Sequence, residues 1–83
     1  MHTGTMNDSR VERVIAEALR IEPRLVTDDL AYGDLSEWDS LNHVDLMLRL
    51  ESEFGVEIGE DEMLSLTSVR AIRAFVDGRA SPA

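Results

Sequence analysis

Asp39-Ser40-Leu41-Asn42-His43-Val44-Asp45-Leu46-Met47-Leu48-Arg49-Leu50-Glu51-Ser52-Glu53-Phe54-Gly55 reads as a helix with both of its ends written into it. Asp39 or Ser40 supplies a side-chain oxygen that can accept a first-turn N–H, and Gly55 stops the run through its ease in the left-handed region. At about 100° per residue, Leu46, Leu50, Phe54, Met47 and His43 share one arc, while Leu41, Val44 and Leu48 gather on another. The first arc is wide enough to face a core. The second, flanked by Asp45, Glu51 and Ser52, is an apolar strip with an acidic border, the anatomy of a helix that docks on partners, unless the segment before it folds over and covers it.

The neighbouring segments complete a helical domain. From Glu22 to Trp38 there is neither strand alternation nor sustained helical period, only the apolar anchors Leu25, Val26, Leu30, Tyr32, Leu35 and Trp38. A connection of that length must pack on itself or on the core. Within it, Thr27-Asp28-Asp29 can cap a single helical turn, and Gly33 offers a turn residue before Asp34. A first helix, begun near Asn7, Asp8 or Ser9, carries Val11, Val14, Ile15, Ala18 and Leu19 at core spacing and ends around Arg20 or Ile21, because Pro23 disfavours helical geometry at Glu22. Beyond Gly55, Val56 and Ile58 continue the core, and Gly59 to Leu64 reads as a loop or short helix with acids at its positive end. Thr67 or Ser68 then caps a last helix that turns Val69, Ile72, Phe75 and Val76 inward and closes at Asp77-Gly78. The expected organisation is a leader over 1–6 without order, one all-α domain over 7–78, and a frayed tail over 79–83.

Composition narrows the function. A chain of 83 residues is one small domain, too small to enclose a deep active site. Its net charge is -9, and the acid is concentrated: Asp28 to Glu62 holds twelve acids against the single base Arg49. Such a face repels phosphate backbones and steers towards partners with a basic patch, so nucleic acid is not expected as a ligand. There is no cysteine, hence neither disulfide nor thiolate metal site. No apolar run approaches a membrane span and no signal-peptide pattern opens the chain, so a soluble, cytoplasmic, monomeric protein is expected.

Ser40 is the residue whose chemistry needs an account. Asp39, Ser40 and His43 invite a Ser-His-Asp reading, but an adjacent Asp-Ser pair and a histidine one turn on face different arcs, and there is no nucleophile elbow. His43 reads instead as a half-buried residue at the core margin. A calcium loop is also excluded: starts at Asp28, Asp29 or Asp34 place Leu30, Ala31 or Ser36 at the next ligand position. Glu57, Glu60, Asp61 and Glu62 form a solvated acidic face. What remains is Ser40 as an acceptor hydroxyl at a helix N-terminus, where the dipole tolerates an attached phosphodiester.

Asp39-Ser40-Leu41, followed by Val44-Asp45-Leu46 and then Leu50-Glu51-Ser52-Glu53-Phe54-Gly55-Val56-Glu57-Ile58, closely resembles the acyl carrier proteins. The resemblance spans helix one to Gly78. It implies a four-helix bundle with a short third helix, and a 4′-phosphopantetheine arm joined to Ser40 by a phosphopantetheinyl transferase that uses coenzyme A. The arm's thiol would carry acyl groups, which reconciles thioester chemistry with a cysteine-free chain. By the same resemblance Asp39 assists the modification, Leu41, Val44, Asp45, Leu48 and Glu51 form the partner-recognition face, and Leu46, Leu50, Phe54, Met63, Leu66, Ile72 and Phe75 are candidates for a groove that shelters the acyl chain, each also simply core. The protein would then be a carrier and not a catalyst, served by acyltransferase, ketosynthase or adenylating enzymes.

Two departures stand out: Glu37 occupies a position that is glycine in many relatives, and Asn42 replaces an acid common in fatty-acid carriers. Trp38-Asp39-Ser40-Leu41 resembles discrete carriers of specialised, polyketide-type metabolism. An aminoacyl or peptidyl carrier loaded by an adenylating enzyme, a fatty-acid carrier, and an acidic interaction domain without a prosthetic group stay open as alternatives.

Overall fold

The computed structural model describes the backbone of residues 4–80 and the side chains of residues 9–78. Helix α1 spans Gly4–Leu19, a 3-10 turn covers Pro23–Leu25, α2 spans Ser40–Phe54, α3 Glu60–Ser65 and α4 Val69–Ala80, giving the expected all-α bundle of four helices with a short third. Its core is built from Val11, Val14, Ile15, Ala18 and Leu19 of α1, Leu46, Met47 and Leu50 of α2, and Val69, Ile72 and Val76 of α4. Burial of each large aliphatic side chain contributes about 1.5–3 kcal/mol, and this periodic set holds the layers together.

Helix α2 has the bounds its sequence dictates. Asp39 has extended backbone and its Oδ1 accepts from Asn42 N–H at 2.9 Å, while Gly55 is left-handed at φ 65° and donates its N–H to Glu51 O at 2.9 Å. Helix α3 starts at Gly59, whose N–H donates to Glu62 Oε1 at 3.1 Å, and its first turn carries Glu60, Asp61 and Glu62 where the dipole favours them. Ser68 Oγ caps α4 by accepting from Ala71 N–H at 3.1 Å.

The outer ends of the first and last helices differ from expectation. Helix α1 is already formed at Gly4, before the cap expected at Asn7 to Ser9; a polar residue able to cap does not end a helix whose following turns are periodic. Helix α4 runs through Asp77-Gly78 to Ala80, so Gly78 sits in a helix where a closing turn was expected. Residues 81–83 of the expected tail and residues 1–3 of the expected leader lie outside the described residues.

Helix α1 stops by a device that the proline reading alone does not supply. Arg20 adopts φ 60° and Ile21 N–H donates to Ala16 O at 3.0 Å, a Schellman closure on a residue that is not glycine. A side chain there stores about 1–2 kcal/mol. Arg20→Gly is therefore expected to raise stability by about 0.5–1 kcal/mol after the glycine's extra unfolded-state entropy is subtracted, read as a higher urea midpoint at unchanged slope.

The long segment between α1 and α2 is packed, as its length required, although not by all its anchors. Val26, Leu30 and Trp38 are buried and Leu35 is half-buried, whereas Leu25 and Tyr32 remain exposed. The helical turn falls at Pro23–Leu25 rather than after Thr27, because Pro23 is pre-set for a first helical position. Gly33 does supply the turn, at φ 90°. The segment is then clasped to the start of α4: Ala31 and Ser68 form an isolated antiparallel bridge, Tyr32 N–H donates to Thr67 O at 2.8 Å, and Val69 N–H donates to Leu30 O at 3.0 Å. Arg73 pairs with Asp28 across the same junction.

Candidate functional site

Ser40 is exposed, at the first turn of α2, on a backbone fixed from both sides. Asp39 caps the turn, His43 N–H donates to Asp39 O at 2.8 Å, and Asn42 Nδ2 reaches back to donate to Glu37 O at 2.7 Å. A carboxylate at this position could not make that last bond, since it has no proton to give to a carbonyl.

Behind Ser40 lies a polar chain that sequence reading missed. Trp38 is 1% exposed, and its Nε1–H donates to His43 Nδ1 at 3.0 Å. Because Nδ1 accepts, the ring carries its proton on Nε2, which lies 2.9 Å from Met63 O and donates to it. Tyr32 packs its ring edge-on against the imidazole at 5.6 Å and 84°. His43 is thus buried, further inside than the core margin expected of it, and spans the loop before Ser40, α2 and α3. The available signal was the buried indole, whose N–H needs a partner. Both imidazole nitrogens are engaged away from Ser40, so His43 is not placed as its base. Moving the ring aside would orphan the Trp38 N–H and the Met63 carbonyl at about 1–3 kcal/mol each, more than the roughly 0.8 kcal/mol gained per methylene buried in its place.

Beside Ser40 opens a cavity of about 280 Å³ lined by Tyr32, Ser40, His43, Val44, Met63, Leu64 and Thr67. Its lining differs from that of the expected acyl groove. Of Leu46, Leu50, Phe54, Met63, Leu66, Ile72 and Phe75, Met63 alone reaches the cavity. Leu46, Leu50, Leu66 and Ile72 are buried in the core, and Phe54 and Phe75 pack against it. The reason is direction. The inward arc of α2 packs into the same core as α1 and α4, while the cavity opens between the first turns of α2, the long loop and α3. Phe54 is further occupied by the Arg10 guanidinium, 4.7 Å over its ring.

The second arc of α2 is open. Leu41 is 77%, Leu48 58% and Val44 42% exposed, and Leu64 of α3 joins them at 72%; the loop does not cover the strip. Its acids are not equivalent. Asp45 is half-exposed and accepts from Arg49 Nε at 2.9 Å, a helix-surface pair of small energetic weight. Glu51, expected on the recognition face, is half-buried, and its Oε2 accepts from Ile58 N–H at 2.8 Å, so it ties the chain after Gly55 to α2 and is not a free rim charge. Among the described residues no group of His, Asp and Glu is placed to hold a metal ion, and no helix is long and apolar enough to cross a membrane.

An exposed hydroxyl at a capped helix start, beside an apolar recess, is a place where a group can be attached for other enzymes to act upon. Comparison with known proteins agrees: the family model described as "Phosphopantetheine attachment site" matches residues 9–76. The chain is 31% identical over 72 residues to an acyl carrier protein of Thermosynechococcus vestitus, covering 87% of this chain and 89% of that one. It is also 31% identical over 68 residues to an acyl carrier protein of Zymomonas mobilis, covering 82% and 87%. The chain belongs to the acyl carrier protein family, a family of carriers and not of catalysts whose prosthetic group is 4′-phosphopantetheine. The residues present suit that group: Ser40 offers an accessible hydroxyl at the positive end of α2, where a phosphodiester is favoured.

Proposed function

We propose that Ser40 is the attachment residue and that the protein carries acyl intermediates as thioesters on its 4′-phosphopantetheine arm, in specialised, polyketide-type metabolism in the cytoplasm. The observation that carries the reading is the exposed Ser40 hydroxyl at the capped start of α2, inside the segment that matches the family. When bound, the arm supplies the thiol. The chain's own part is to hold Ser40 still, through Asp39 and the Asn42 clasp, and to present a surface by which enzymes find it. The motif Trp38-Asp39-Ser40-Leu41 supports the polyketide-type assignment. The test is intact mass after incubation of the apo protein with coenzyme A, magnesium and a broad-specificity phosphopantetheinyl transferase. One phosphopantetheinyl addition is expected, and none in Ser40→Ala; an addition that survives Ser40→Ala would reject the assignment.

The partners are the transferase and acyl-loading and acyl-processing enzymes, engaged by a monomer. The strip of Leu41, Val44 and Leu48 provides the apolar contact and Asp45 the acidic edge. Asp45→Lys is expected to slow association with the transferase severalfold at low salt, with the difference shrinking as salt is added, and to leave the unfolding midpoint within about 0.5 kcal/mol of wild type. Glu51→Lys is a poorer probe, because it also removes the bond to Ile58 N–H.

A further inference from the structure

The cavity beside Ser40 ends at a wall unlike the rest of its lining. Met63 and Leu64 are flexible apolar side chains that can shift for a guest and Val44 is exposed, but His43 is held at both nitrogens, by Trp38 and by the Met63 carbonyl, and is flanked by the Tyr32 ring. On the same buried face of α2, His43 is followed by Leu46, Met47 and Leu50, the core against which a longer guest would have to advance. An aliphatic wall yields to such pressure by changing rotamer. The imidazole cannot turn without leaving a buried N–H and a carbonyl unpaired, which costs more than burying another methylene returns.

We propose that His43 sets the length of acyl chain that this protein shelters, stopping it at the mouth of the core and restricting sheltered cargo to short, predominantly apolar acyl groups. The assignment rests on the carrier reading of Ser40. An apolar cavity of about 150 Å³ takes up benzene, so one of about 280 Å³ has room for on the order of ten heavy atoms of cargo. Longer chains keep their distal carbons in solvent and add nothing to the protein's stability. His43 acts here as a specificity-determining wall, with Trp38 and Met63 as the residues that brace it.

The test loads the full-length protein with straight-chain acyl groups, from acetyl to tetradecanoyl, by transfer of whole acyl-phosphopantetheine units from the matching acyl-coenzyme A donors. Each product is compared with the unacylated holo form of the same variant by melting temperature and by emission of Trp38, the single tryptophan. The melting temperature is expected to rise with chain length and to level off by about ten carbons, and in His43→Ala to continue rising beyond that point. Thr67→Leu, at an exposed residue that also lines the cavity, is expected to bring the level point to shorter chains, and it keeps the proposal open to refutation if His43→Ala does not fold.

A rise that continues to tetradecanoyl in the wild type would overturn the proposal, as would no dependence on length. So would a level point left in place by His43→Ala, because a purely structural role lowers every melting temperature alike, or one left in place by Thr67→Leu. If no acyl-phosphopantetheine reaches Ser40 at all, the carrier reading itself fails; loading without a length limit rejects only the role of His43.

Discussion

Trp38→Ala is expected to remove about 3–5 kcal/mol of stability, much of what a domain of this size holds. The indole is the largest fully buried side chain in the protein, so truncation leaves a void that neighbours from the loop and α2 fill only in part. It also takes away the donor to His43 Nδ1 at 3.0 Å, leaving a buried acceptor nitrogen without a hydrogen bond. Trp38→Phe separates the two contributions, since it keeps most of the volume and loses the hydrogen bond; a loss of about 1–3 kcal/mol is expected. Urea unfolding followed by circular dichroism reads both. Equal losses in the two variants would mean that packing contributes little and the Trp38–His43 bond nearly everything.

Leu50→Ala is expected to cost about 2–5 kcal/mol, with the same loss in the apo protein as in any acylated form. Leu50 is 0% exposed and lies in the inward arc of α2, away from the cavity. A residue that lined the shelter would behave otherwise, because its truncation would alter the difference between loaded and unloaded protein. Denaturant midpoints of apo and loaded Leu50→Ala therefore discriminate core from groove. A loss confined to the loaded form would restore Leu50 to the groove and contradict the lining seen beside Ser40.

What the sequence allowed to be read follows the range of the interactions concerned. Helix α2 was legible to within a residue because Asp39 or Ser40 and Gly55 act on the turn next to them, and its two arcs were legible because α-helical period is a local property. Leu41, Val44 and Leu48 are exposed in the structure as that period placed them. The fate of Leu25 and Tyr32 was not legible, since an apolar residue in a loop is buried only if a distant element meets it there. Glu51 lies on the wheel between the inward arc and the strip, and only the return of the chain through Val56 and Ile58 decided which way it bonds. The cavity was the least accessible of all: its walls come from the loop, α2, α3 and the α3–α4 link, and the groove candidates that the resemblance suggested, each also readable as core, lie mostly in the core. The pairing of Trp38 with His43 had a cue, an indole N–H next to a helix start, that pattern counting passes over.

The clasp between residues 30–32 and 67–69 bears on the order in which the protein assembles. Helices α1 and α2 can pair as soon as both exist, but the loop ahead of Ser40 obtains its backbone partners only once the chain has extended to Val69. Closing so wide a separation late is entropically slow relative to local helix pairing. A chain that ended before Ser68 would lack these partners, and the approach to Ser40 would stay unfastened. The completed site is thus a product of nearly the whole chain, and truncation would yield a fragment whose serine is present but whose setting is not.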